Sequence, residues 1–101
     1  MEVSQDPLEV APDAYKVLLE NDRVRVLDFR LKSGEKVSTH RHPPYMVYVL
    51  SVSKIKFTLP DGRSREIENT PGEAFWHEAG SHAAENIGAN ELHTLEIEFK
   101  K

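Results

Sequence analysis

Apolar and polar residues alternate along most of this chain with a period of two, the spacing of β-strands whose side chains point to opposite faces. Ile55, Phe57 and Leu59 alternate with Lys54, Lys56 and Thr58, which predicts a half-buried strand. Leu95, Ile97 and Phe99 alternate with Thr94, Glu96 and Glu98, and the three large residues are expected to face the core. Tyr45 to Leu50 is almost wholly apolar and predicts a strand buried on both faces. Between Arg23 and Lys32 the phase changes, because Val24 and Val26 share one parity and Leu27, Phe29 and Leu31 the other. A β-bulge in that strand is the expectation.

Shorter strands are predicted over Ala14–Glu20, Arg63–Glu68, Glu73–Glu78 and His82–Ile87. Between them stand Asn21-Asp22, Ser33-Gly34, Pro60-Asp61-Gly62, Asn69-Thr70-Pro71-Gly72 and Gly88-Ala89-Asn90, all of turn chemistry. No stretch sustains a helical period, and no internal repeat is visible. Short strands at roughly 8- to 12-residue spacing predict an all-β sandwich or barrel. With 101 residues the chain is one domain. Residues 1–14 read as an extended N-terminal arm able to pair with a sheet edge, and 15–101 as the barrel domain.

Charge narrows the partners. A formal charge of −4 argues against nucleic acid or an anionic membrane surface. No apolar run approaches the roughly 20 residues of a membrane span. The absence of cysteine excludes a disulfide framework and a thiol nucleophile. The amino terminus lacks the features of a signal peptide, so cytoplasmic residence is expected.

The chemistry centres on Gly34-Glu35-Lys36-Val37-Ser38-Thr39-His40-Arg41-His42. Two histidines one residue apart on a strand project to the same side, where neutral imidazoles can share one divalent metal. Pro43 and Pro44 then bend the chain away. The alternative is a pair of surface histidines on a polar strand edge.

These residues resemble the first motif of the cupin superfamily: Gly, five residues, His, one residue, His, three or four residues, Glu. Gly34, His40 and His42 fit its first half without a gap. Gly72, Gly80, His82 and Asn86 resemble the second motif, and the likeness runs from about Val24 to Phe99. It implies an all-β jelly-roll barrel, the double-stranded β-helix, with a divalent metal (Fe, Ni, Mn or Zn) on His40, His42 and His82. The sequence departs from the pattern where the family places its Glu ligand, since Met46 or Val47 stands there, and Glu78 replaces the proline of motif two.

His77 is an alternative ligand, or a strand histidine paired with Glu78 or solvent. Tyr45 and Glu78 are candidate catalytic groups, or respectively a core residue and part of a solvated face. Tyr45, Met46, Tyr48, Phe57, Phe75, Trp76 and His93 are candidate pocket residues, or simply core. Lys54, Lys56, Arg63 and Arg65 read as the wet face of a hairpin. A set of three histidines without carboxylate resembles the cupin dioxygenases, and fits lyase or isomerase work equally. Its neutral ligands leave the metal's full charge to favour a small anionic substrate. The alternatives are a non-catalytic small-molecule-binding module or a dimeric scaffold. The resemblance also implies a homodimer.

Overall fold

A computed structural model describes residues 5–100 of the chain. Residues 1–4, the start of the expected arm, lie outside them, as does 101. The elements are one helical turn, α1 (Pro7–Val10), and the strands β1 (Tyr15–Glu20), β2 (Val24–Leu31), β3 (Lys36–His42), β4 (Tyr45–Val49), β5 (Ser53–Thr58), β6 (Ser64–Asn69), β7 (Ala74–His77), β8 (Gly80–Asn86) and β9 (Leu92–Phe99). They form two antiparallel sheets, ordered β1-β2-β9-β4-β7 and β3-β8-β5-β6. The core lies between them, with Leu27, Phe29, Leu31 and Leu92 from the first sheet against Val37, Ile55 and Ala84 from the second. No helix among the described residues is long and apolar enough to cross a membrane.

Among the described residues of the arm, Pro7–Val10 form a helical turn where an extended segment is expected. The Asp6 side chain accepts from Leu8 N–H at 2.9 Å, and Pro7 opens the turn, where its missing N–H costs nothing. Arg41 N–H of the edge strand β3 donates to Gln5 C=O at 2.7 Å, a backbone bond between this segment and the smaller sheet.

Two strands differ from their alternation patterns. In β9 the buried residues are Leu92, Thr94, Glu96 and Glu98, whereas Leu95, Ile97 and Phe99 are only half-buried on the outer face. The reason is register. Thr94, Glu96 and Glu98 stand opposite Phe29, Leu27 and Arg25 of β2, and the buried Leu27 and Phe29 fix that face as the inner one. β2 has no bulge, for all eight of its residues pair with β9 in unbroken register. Val24 and Val26 face outward, and the irregularity sits in β1, between Val17 and Leu19.

The turn glycine of the first motif has a structural task. Gly34 adopts φ +85°, a left-handed conformation that favours glycine. Its N–H donates to Asn86 C=O at 2.9 Å, and Asn86 N–H donates to Glu35 C=O at 3.0 Å. The fully buried Asn86 side chain donates to Leu31 C=O and Asn90 C=O, both at 2.9 Å. The start of β3 is thereby clamped to the end of β8, the two strands that carry the histidine candidates.

Candidate metal centre

A bulge in β3 sets the histidines. Val37 pairs with Ala84 of β8, but His40 pairs with His82, so three steps along β3 match two along β8. Without the extra residue Val37 and His40 would point to opposite faces. With it, Val37, His40 and His42 all turn inward, while Ser38 and Thr39 stay exposed. The bulge also orients a ring, because Ser38 C=O accepts from His40 Nδ1 at 2.9 Å. A carbonyl cannot donate, so the proton sits on Nδ1 and the lone pair on Nε2. The Tyr15 hydroxyl stands 3.4 Å from that nitrogen and can donate to it.

His42 is held in the same tautomer by a carboxylate. Its Nδ1 donates to Glu98 Oε2 at 2.7 Å. The other Glu98 oxygen receives Arg25 Nε at 2.9 Å and Nη2 at 2.8 Å, and Arg25 reaches Asp6 at 3.2 Å. His42 Nε2 is left buried with no hydrogen-bond partner. Glu96 Oε1 lies 3.8 Å away, beyond hydrogen-bond reach.

His40, His42 and His82 present ligand nitrogens within 4.8 Å of one another. Their ring centroids are 4.8 Å (His40–His42), 4.8 Å (His40–His82) and 5.3 Å (His42–His82) apart. His40 and His42 are fully buried and His82 partly so. Burial pushes the His40 pKa down to about 4 and that of His82 down to about 3. Both are neutral imidazoles near pH 7, as metal ligation requires. An orphaned buried nitrogen, fixed tautomers and a hydrogen-bonded carboxylate behind one ring together fit a divalent metal.

The remaining candidates fall in different places. Tyr45 stacks between two histidines, 4.2 Å from His42 and 4.9 Å from His77. His77 therefore lies behind that ring, outside the group of three. Burial raises the Tyr45 pKa and keeps the phenol neutral. Phe57 packs 4.7 Å from His82, and Phe75 is half-buried on the inner side of β7. Met46, Tyr48 and Trp76 alternate to the outer face, with Trp76 55% exposed. Glu78 accepts from Trp76 Nε1 at 2.6 Å there. His93 also faces out and meets Asp28 at 2.6 Å.

Alternation of large apolar residues in β9 concealed Glu96 and Glu98. The signal that would have found them is the run of Thr94, Glu96 and Glu98 on one parity, opposite Arg25.

A cavity of about 340 Å³ opens beside the histidines, lined by Phe57, Leu59, Arg63, Arg65, His77 and His82 among others. Arg63 is engaged by Asp61 at 2.7 Å, whereas Arg65 has no ion-pair partner among the described residues.

Two facing antiparallel sheets with three histidines gathered between them define a small cupin-type domain. Comparison with solved structures supports this. The chain superposes on a cupin domain from Bordetella pertussis Tohama I with TM-score 0.79 and 28% identity, covering 86% of this chain and 92% of that one. A cupin superfamily protein from Desulfitobacterium hafniense matches at TM-score 0.64 and 20% identity, over 86% and 76%. The polyketide cyclase RemF from Streptomyces resistomycificus matches at 0.64 and 22%, over 86% of this chain and 64% of its own. Neither a protein-family model nor a curated protein sequence matches the chain.

Proposed function

We propose that this protein is a divalent-metal cupin in which His40, His42 and His82 hold the ion and a small anionic molecule occupies the adjoining cavity. The observation that carries the reading is the convergence of three imidazole donors within 4.8 Å, two of them fully buried. When bound, a metal of this kind supplies Lewis-acid activation of a ligand or a bound water. The protein's own part is to present neutral imidazoles, exclude water around His40 and His42, and offer an anion-binding wall. Arg65 supplies that wall's uncommitted positive charge, while Phe57, Leu59 and Ile67 supply its apolar side. Iron, nickel and zinc suit imidazole donors, and manganese, which prefers oxygen ligands, completes the set to be tested.

Dioxygenase, lyase or isomerase chemistry on such an anion is the catalytic form of this proposal. The second form is a binding module without turnover. It is favoured by the cavity lining, in which no carboxylate stands among the described residues. In either form we propose a cytoplasmic homodimer.

Elemental analysis of tag-free protein beside His42→Ala tests the metal reading. Near-stoichiometric metal that vanishes in the variant is expected. A wild-type protein that holds none, even after soaking with each of the four ions, would overturn it. Metal-dependent turnover, or oxygen uptake, with small organic anions then separates the enzyme from the binding module.

A further inference from the structure

Glu96 is buried with only 5% of its surface exposed, and its Oε1 has no hydrogen-bond partner. A buried carboxylate oxygen without a partner is costly, because it has given up its hydrogen bonds to water and gained none in return. Two other buried polar atoms lack a partner: Thr94 Oγ1, on the same face of β9, and His42 Nε2, which lies 3.8 Å from Glu96 Oε1. Two lone-pair donors thus face each other across a gap with no hydrogen bond between them. A cation between them satisfies both at once.

The geometry points to Glu96 as a fourth metal donor, joining His40, His42 and His82 from the His42 side. The inference rests on the metal centre proposed above. Position supports it further. Glu96 pairs with Val47 across β9 and β4, and both side chains face inward. Val47 is one of the two residues standing where the sequence departs from the first cupin motif by lacking a carboxylate. Directly paired residues hold their Cβ atoms roughly 4.5–5.5 Å apart. Glu96 is therefore an inward-facing carboxylate directly beside that β4 position. The ligand set becomes three neutral imidazoles and one carboxylate, and a divalent ion there keeps one net positive charge.

A competing account has a water satisfying Glu96. A gap of about 20 Å³ beside Glu96, Thr94 and His77 has room for one. Metal binding separates the two accounts. Cobalt(II) is titrated into EDTA-stripped, tag-free wild type, Glu96→Gln, Glu96→Asp and His42→Ala, reading stoichiometry, affinity and the visible d–d spectrum. Wild type should bind one equivalent, and His42→Ala should lose it. Glu96→Gln should keep one-to-one binding, weakened at least about tenfold, with a shifted spectrum. Glu96→Asp, which keeps the charge on a shorter arm, should fall between.

Unchanged affinity and spectrum in Glu96→Gln would overturn the role of Glu96 and leave the three-histidine centre standing. Should Glu96→Gln fail to fold by circular dichroism, Glu96→Asp decides: a wild-type spectrum and affinity there count against the inference. Failure of the wild type to bind cobalt removes the metal centre and this inference together. Binding that persists in His42→Ala would show that the cobalt sits elsewhere, and would remove them likewise.

Discussion

His42 of β3 donates from Nδ1 to Glu98 Oε2 of β9 at 2.7 Å, joining the two sheets at the buried end that holds the histidines. The bond fixes the ring, leaves Nε2 with its lone pair toward His40 and His82, and makes the imidazole a stronger donor. Glu98 is itself held by Arg25, whose side chain is only 12% exposed. The arrangement is a relay of orientation from the surface Asp6 to the candidate metal ligand.

Glu98→Gln should keep the side-chain volume, remove the charge and leave one oxygen where Arg25 and His42 use two. The expected result is a 10- to 100-fold loss of metal affinity, roughly the cost of outer-shell changes elsewhere, with His40, His42 and His82 intact. Glu98→Ala should do more, because it strips Arg25 of one carboxylate partner and leaves His42 Nδ1 unsatisfied. A destabilisation of about 3–5 kcal/mol is expected from breaking a buried pair on one side. Metal titration followed by urea unfolding reads both. Equal metal affinity in wild type and Glu98→Gln would show that the bond has no influence on ligation.

Acid should destabilise the metal-free protein. His40 and His82 titrate in the folded state at about 4 and about 3, against 6.5 when unfolded. Their contribution is complete above pH 6.5 and is lost as pH falls through the folded values, because the unfolded chain takes up protons first. Glu96 acts with the opposite sign. Burial raises its pKa from 4.5 to about 7, so its contribution is present below pH 4.5 and fades as pH rises through 7. Two histidines oppose one glutamate, and Tm in EDTA should fall from pH 6.5 to pH 4. The fall should be steeper in Glu96→Gln, which lacks the offset. A Tm that stays flat or rises over that range would count against the buried, neutral state of the histidines.

Much of the architecture was legible in the chain, and the unread parts have one physical origin. Strand positions follow from turn chemistry, and Gly34, His40 and His42 were visible as a spacing. Which face is inside depends on register and bulges, and these are set between strands. Val37 and His40 differ in parity, yet both are buried, because β3 carries a bulge opposite Ala84 and His82. Leu95, Ile97 and Phe99 alternate as a core should, yet their neighbours are inside, because Arg25 and His42 supply partners for Glu98. Period-two alternation identifies a strand. It does not say which face is the core when both faces carry partners.

The proposed anion preference of the cavity rests on Arg65. It shares a face of β6 with Ile67 and lines the same opening as His82. A ligand carboxylate there would gain a charge-assisted hydrogen bond, in which Arg presents a bidentate fork. Arg65→Ala should weaken binding of small carboxylates to the metal-loaded protein by about tenfold or more, on the order of 1.5–3 kcal/mol. Arg65→Lys should recover only part of it, since an ammonium lacks the fork. Calorimetry with a carboxylate series and the matching neutral amides makes the comparison. Equal loss for carboxylates and amides would show that Arg65 acts by packing and not by charge.

An apolar row crosses the outer face of the larger sheet. Leu19 pairs with Val26, Val26 with Ile97, Ile97 with Met46 and Met46 with Trp76, one residue from each of its five strands. Leu19 and Trp76 at its two ends are 51% and 55% exposed, and Trp76 leans on Phe99 at 5.6 Å. Water gains nothing from such a face, and a twofold axis lets the same patch cover itself. The proposed homodimer should therefore form here, and Trp76→Glu should break it by placing like charges across the axis while leaving the histidines untouched. Light scattering should give twice the 11.5 kDa chain mass for wild type and the single mass for the variant. Val52→Glu, an exposed position outside the row, serves as the control and should stay dimeric. A monomeric wild type at micromolar concentration, or a dimer that tolerates Trp76→Glu, would remove this face as the interface.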